Sequence, residues 1–271
     1  MAEYRVAKPE EVDEVIRLTD IIFRESRDIA PSMGRQFPTL LTEDNESGLY
    51  IAKEDGKVVS HIGIKENPII LYGHKISMAS MGAGCTHQDY QGRGIATKLL
   101  YETFDSLHER QIGLLTISGG RGLYRRNGAV ESVGTTDFNI EDRLDVPKYN
   151  GISYRLLEDR DDISSLSRIY YREPIRYERQ TEEFNILFRA KPMVLEPDKI
   201  PFTAAVAHSK DNPSSDGIAY VLGFKTLEGI FNVIEYAGER SAILGIINAI
   251  LEETKSHSIF IQIPKGDSVL I

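Results

Sequence analysis

Residues 86–100 read THQDYQGRGIATKLL, and the fold follows from this stretch. Its centre is Gln91-Gly92-Arg93-Gly94-Ile95-Ala96. The two glycines remove side chains just before a helical pattern begins. From Gly94 to Glu109, the residues Ala96, Leu100, Phe104 and Leu107 share one face, which predicts an amphipathic helix. Upstream, ISMASMGAGCTH (76–87) reads as an extended apolar segment interrupted by Gly82 and Gly84. Glycines inside a strand mark a bulge or a close backbone approach. A strand, a glycine turn and a helix in that order create an anion site. The first-turn N–H groups lack intrahelical partners, and the helix dipole favours negative charge. The fitting ligand is a phosphate or pyrophosphate. A P-loop would need G-x-x-x-x-G-K-[ST], which the chain lacks. A dinucleotide fingerprint starts at Gly82-Ala83-Gly84, but His87 stands where its third glycine belongs and the helix begins later.

Around this stretch, strands and helices mix. YRVAK (4–8) reads as a strand, and Pro9 opens a helix whose first turn carries Glu10, Glu11 and Asp13. LYIAKEDGKVVSHIGI (49–64) is a hairpin turning at Asp55-Gly56. GLLTIS (113–118) is a strand, GGRG (119–122) a glycine loop, LYRRNGAV a helical turn, and Ser132–Ile140 a further strand. The polar segment 141–151, with Pro147 and Gly151, places a domain boundary after residue 147. Residues 148–271 then repeat the order hairpin, strand, helix, strand, the last three being FNVIEYAG, ERSAILGIINAILEETK and SIFIQIP. The architecture repeats without an obvious sequence repeat.

The chain has 271 residues and a net charge of −9, from 32 Lys+Arg against 41 Asp+Glu. Neither half is basic, which argues against nucleic acid and anionic membranes as partners and suits a cationic substrate. The single cysteine, Cys85, excludes an intrachain disulfide and a cysteine zinc cluster and fits a reducing cytoplasm. The six histidines show no ligand spacing, so no metal site is expected. The N-terminus lacks a basic segment followed by an apolar one, and AILGIINAIL (242–251) is too short to span a bilayer.

With its strand before and helix after, the Gln91–Ala96 run resembles the Q/R-x-x-G-x-G/A motif of the GNAT acetyltransferase superfamily. The resemblance implies an α/β fold with a mixed sheet, and acetyl-CoA as cosubstrate. Gln91, Gly92, Arg93, Gly94, Ile95, Ala96 and Thr97 would hold its pyrophosphate, with Gly119 and Gly120 in the next glycine loop. Gly84, Cys85 and Thr86 would line the pantetheine on a strand that splays from its neighbour. ISGGRGLYRRNGAV (117–130) resembles the family's Tyr-x-x-x-Gly-Phe segment, with Tyr124 and Gly128 in place and Ala129 instead of phenylalanine. Tyr124 is then the general acid for the departing thiolate, as a phenol protonated at neutral pH can be. Arg121, Arg125 and Arg126 form a basic group that meets CoA phosphates or an exposed helix face. Cys85 has no evident His or Asn pairing, which disfavours it as a nucleophile. Glu25, Asp28, His61 and His87 are the candidates for the general base.

Residues 148–271 resemble a degenerate second GNAT domain. Their loop, Gly238-Glu239-Arg240-Ser241-Ala242, lacks the motif's glycines, and Glu239 would repel a pyrophosphate. This half is expected to shape the acceptor site or a homo-oligomer interface. The pairing resembles the Eis-type tandem acetyltransferases, which usually add a sterol-carrier-like domain; ending at Ile271, the chain is expected to be either a shorter relative or a fragment. The expected function is direct acetyl transfer to a primary amine on a small molecule or a protein lysine. The rival is a CoA-binding regulatory or scaffold protein without turnover.

Overall fold

In a computed structural model, residues 2–120, 122–132, 134–144, 152–157, 163–190, 202–209 and 217–267 are described, with residues 192 and 270. The chain divides into two compact units, Met1–Val130 with Tyr177–Arg179, and Glu131–Arg176 with Gln180–Ile271. The boundary expected after residue 147 lies outside the described residues, whereas the contacts divide the chain at Val130/Glu131. The reason for the difference is a strand, Thr135–Ile140, which pairs with Ser258–Pro264 near the far end of the sequence. Pairing over that separation leaves no local signal.

In chain order the first unit contains β1 (Glu3–Val6), α1 (Val12–Phe23), α2 (Met33–Gln36), β2 (Leu49–Glu54) and β3 (Lys57–Glu66). Then come β4 (Ile69–Leu71), β5 (His74–Ile76), β6 (Met78–Thr86), α3 (Ile95–Glu109), β7 (Leu114–Ile117) and α4 (Gly122–Arg126). Its main sheet has the order β1-β2-β3-β6-β7. All neighbours are antiparallel except β6 and β7, which α3 connects in parallel. The β2–β3 turn is Asp55-Gly56, both with positive φ, as an Asp-Gly hairpin requires. β2 is apolar without alternation because both its faces are covered. Leu49 and Ile51 meet Val12, Val15 and Leu18, whereas Tyr50 and Ala52 meet the α3 residues Ile95, Leu99 and Leu100.

The second unit contains β8 (Thr135–Ile140), β9 (Ile152–Leu157), α5 (Ile163–Tyr170), most of β10 (Ile175–Tyr177), α6 (Thr181–Phe188) and β11 (Thr203–Ser209). It continues with β12 (Ala219–Lys225), β13 (Ile230–Gly238), α7 (Arg240–Thr254) and β14 (Ser258–Pro264). Its sheet order is β8-β14-β13-β12-β11-β9. Again one pair is parallel, β13 with β14, and again a helix, α7, makes the crossover. Ala205, Ala207 and Val221 face α7, while Ala204, Val206 and Tyr220 face α5. Each unit is therefore a mixed sheet packed between helices, and the architectural repeat holds. No helix among the described residues is long and apolar enough to cross a membrane.

One ionic contact ties the start of the first unit to its sheet. Glu11 is buried and accepts two bonds from Arg5 (2.6 and 2.9 Å), one from Lys53 Nζ (2.5 Å) and one from the Lys8 N–H (2.9 Å). The hydrogen bond from Arg5 leads in holding its carboxyl far below the usual range, with Lys53 adding to it. A depressed carboxylate pKa gives stability that is full above the unfolded-state value and falls as pH falls below it. Glu11→Gln should therefore cost about 2 kcal/mol at neutral pH. It should also flatten the loss of stability between about pH 5 and pH 2. Urea titrations across that range check this, and an unchanged acid slope would assign acid lability elsewhere.

Candidate active site

The site begins where two parallel strands part. β6 and β7 pair from Met78/Leu114 to Met81/Ile117, and the Ser118 N–H still reaches the Met81 carbonyl at 3.2 Å. Beyond Met81, β6 keeps its ladder to β3 alone. That ladder is itself interrupted, because the register shifts between His61/Cys85 and Gly63/Gly82. Ala83, in the shifted stretch, takes φ +53°, an uncommon value for a residue with a side chain. The bulge that Gly82 and Gly84 suggested is present, and its positive φ falls on the alanine between them.

Tyr124 stands over this bulge. A Cβ at residue 84 would come within 2.8 Å of the Tyr124 hydroxyl, so only glycine lets the phenol approach the strand. The ring is buried among Ile95, Leu99 and Met81, while its hydroxyl reaches the β6 backbone. Next along β6, Cys85 is buried and its carbonyl accepts from Ser60 Oγ at 3.0 Å. Thr86 Oγ1 lies 2.8 Å from the same Ser60 hydroxyl. The ladder sets His61 directly across from Cys85, a neighbour that sequence reading had not supplied.

The loop from β6 to α3 is held by its own polar groups. Gln91 Nε2 donates to the Thr86 carbonyl (3.1 Å), and the His87 N–H to the Val59 carbonyl (2.9 Å). Gly92 and Gly94 have φ of +74° and +76°, and Gly94 caps α3. Neither has any atom within 4 Å of a would-be Cβ, so conformation rather than crowding selects glycine. The N–H groups of Ile95, Ala96 and Thr97 lie in the first turn of α3, where the helix supplies no acceptor. The Arg93 side chain turns to Glu54, donating from Nη2 to both carboxylate oxygens (2.8 and 2.9 Å), and lies over the Tyr90 ring. Gly119, at φ +116°, follows two residues after the end of β7, with Gly120 after it. Arg121 lies outside the described residues; Arg125 and Arg126 end α4.

The candidate bases divide. Glu25 is ion-paired with Arg17, and Asp28 is exposed in a left-handed turn. His87 Nδ1 accepts from the Asp89 N–H at 3.4 Å. His61 is fully buried, its Nδ1 lies 3.2 Å from the Tyr50 carbonyl, and its Nε2 has no hydrogen-bond partner. Burial pushes its pKa down to about 4, so the imidazole is neutral.

In the second unit the equivalent strand-to-helix turn is filled. Gly238 has φ +97°, and its N–H donates to Glu173 Oε1 at 2.7 Å. Arg240 grips both oxygens of the same carboxylate (2.8 and 3.0 Å) and donates from Nε to Asp267 at 2.8 Å. A carboxylate thus occupies the start of α7. It belongs to Glu173 rather than Glu239, whose N–H donates to the Ile218 carbonyl.

A mixed sheet that opens beside a glycine-started helix is the arrangement that the resemblance of the Gln91–Ala96 run implied. Residues 3–130, nearly the whole of the first unit's main segment, match the acetyltransferase (GNAT) domain family. An 81-residue stretch is 28% identical to the uncharacterized N-acetyltransferase YhbS of Escherichia coli K12, covering 30% of this chain. The chain spans about half the length of the curated relatives it matches, 47% of YhbS. A crystal structure from Enterococcus faecalis V583, described as a probable N-acyltransferase, superposes with a TM-score of 0.78 at 16% identity. That match covers 97% of this chain and 66% of the other. Eis1 of Mycobacterium abscessus superposes with a TM-score of 0.66 at 15% identity, covering 98% of this chain and 67% of Eis1. These likenesses span both units and give the chain its fold, two GNAT-like domains in tandem.

Glu173→Ala should leave the Gly238 N–H and Arg240 without their shared acceptor. A loss of about 2–3 kcal/mol in urea unfolding is expected. A change below about 0.5 kcal/mol would place the contact among surface pairs of little consequence.

Proposed function

We propose that the first unit binds acetyl-CoA and transfers its acetyl group directly to a primary amine. The observation that carries this reading is the parting of β6 from β7 with the Tyr124 hydroxyl set against Gly84. Past the end of β7, the β6 edge at Gly84, Cys85 and Thr86 lines the place an extended amide-bearing arm would take. At the end of that edge, the loop Gln91–Gly94 and the first turn of α3 offer N–H groups to a pyrophosphate. Gly119 and Gly120 border the same opening from the end of β7. The donors are main-chain groups, so they fit phosphate oxygens without a lysine.

In the reaction, the amine nitrogen attacks the thioester carbonyl carbon. The C–S bond breaks, the sulfur takes the Tyr124 hydroxyl proton, and the amine gives up a proton to solvent or to a base. Binding both reactants at one opening supplies the proximity such a transfer needs, and a β6 N–H supplies polarisation of the carbonyl. No acyl-enzyme is required, and the burial of Cys85 agrees with that. The net charge of −9 favours a cationic acceptor: an aminoglycoside, a polyamine or a lysine side chain. In the second unit the Glu173 carboxylate supports a reading without CoA at α7.

Thiol release from acetyl-CoA, followed across a panel of such amines, tests the function. Acceptor-dependent release is expected, and CoA binding without release from any amine would return the regulatory reading. Tyr124→Phe should lower kcat about 100-fold with little change in acetyl-CoA affinity. An unchanged kcat over about pH 6–9 would remove Tyr124 from the chemistry. Gly94→Glu adds bulk, strain and negative charge at the loop, and CoA binding by calorimetry should fall by at least about tenfold. Unchanged affinity would overturn the phosphate assignment.

A further inference from the structure

We propose that Leu40 limits the transferred acyl group to about the size of acetyl. The proposal rests on the acyl-CoA reading above and names the substrate class it selects. Leu40 follows α2 and is buried on the α1 face of the sheet. Its two methyl groups lie over two glycines of neighbouring strands. A Cβ at Gly82 would meet Leu40 Cδ2 at 3.3 Å, and one at Gly63 would meet Cδ1 at 3.2 Å. Gly82 is the first β6 residue beyond the last β6–β7 pair, so Leu40 covers the mouth of the opening.

The Tyr124 hydroxyl marks the place of the sulfur, against Gly84. Gly82 is two residues back along β6, at most roughly 7 Å away. An acetyl group ends before that point, whereas a longer chain directed along the strand runs into the Leu40 methyls. The missing side chains at Gly63 and Gly82 would otherwise leave room there. Leucine fills it instead.

The backbone of Leu40 is held in place. Its carbonyl accepts from Asn45 Nδ2 at 2.9 Å, and the same amide nitrogen reaches the Ile64 carbonyl of β3 at 3.0 Å. Its N–H donates to the Phe37 carbonyl at 3.1 Å. The surroundings are otherwise hospitable to an alkyl chain. Ala83, Phe37 and Cys85 belong to the same apolar cluster, and the adjacent His61, 3.2 Å from the Gly63 Cβ position through Nε2, is uncharged at neutral pH. Shape therefore sets the limit, and shortening one side chain should lift it.

Calorimetry with CoA, acetyl-CoA and hexanoyl-CoA on the full chain tests this without a known acceptor. The unsubstituted protein should bind hexanoyl-CoA at least about tenfold more weakly than acetyl-CoA. Leu40→Ala should bring the two within about threefold, while Leu40→Met, of similar volume, should keep the original ratio. Leu40→Val leaves a smaller gap; if the alanine variant does not fold, the valine variant must still move the ratio the same way. Equal binding of both acyl-CoAs by the unsubstituted protein, or an unmoved ratio in the shortened variants, overturns the proposal. Failure of CoA itself to bind overturns the acyl-CoA reading and the limit with it. Since CoA carries no acyl group, the two failures are distinct.

Discussion

A parallel β-ladder that stops while one of its strands continues is an unstable arrangement unless something meets the backbone groups it exposes. Here β7 ends at Ile117, and β6 runs on for five residues to Thr86. A continuous pair would bury these groups and leave nowhere for an extended ligand to lie. The bulge keeps the strands apart. It places Ala83 at positive φ, shifts the β3–β6 register and brings the bare Cα of Gly84 under Tyr124. A residue at φ near +53° costs of order 1 kcal/mol or more, and the packed faces on both sides of the sheet must hold it there. The long apolar faces of β2 and β3, covered by α1 and α3, provide that support.

The same architecture in the second unit shows how little separates a binding turn from a closed one. Both units cross over from strand to parallel strand through a 15-residue helix. Both helices begin after a glycine at positive φ or one residue beyond it. In the first unit, the turn carries two glycines with open space around them. In the second, the Gly238 N–H already has an anion, the Glu173 carboxylate, and Arg240 neutralises it. The helix end is satisfied internally, and the unit gains a rigid ionic contact in place of a ligand. Arginine at that turn would by itself suggest phosphate; its two carboxylate partners explain it without one.

Much of this was legible in the chain because the signals are local. The Gln91–Ala96 run, the apolar face of α3, the Asp55-Gly56 hairpin and the glycines of β6 all act within a few residues of themselves. What escaped reading depends on distant pairing. Glu173 lies 65 residues before the Gly238 N–H it caps, and nothing near either announces the other. β8 follows the first unit in sequence but belongs to the second sheet, since its partner is β14. The β4–β5 hairpin turns at Tyr72-Gly73, where tyrosine takes a positive φ that sequence preference does not favour. His61 and Cys85 became neighbours only through the register of β3 on β6. Leu40 sits in a polar stretch with Pro38 and carries no motif at all; its place comes from Asn45 and from two glycines on other strands.

The disposition of Arg93 bears on how the first unit would grip a pyrophosphate. Taken alone, an arginine inside the motif suggests a charge clamp on phosphate. Its Nη2 instead bonds Glu54 on β2, and its guanidinium lies over Tyr90. Arg93 is about half exposed, and an ion pair of that kind contributes at most about 1 kcal/mol. Its effect is therefore to orient rather than to stabilise, tying the loop to β2 through Glu54. Recognition of a pyrophosphate would then depend on the backbone path that Gly92 and Gly94 permit, and less on net attraction. A chain of charge −9 could not rely on long-range attraction for a polyanion in any case. Helix-end N–H groups at fixed positions bind phosphate through short, directional bonds, which suits a loop whose own arginine is already paired with Glu54.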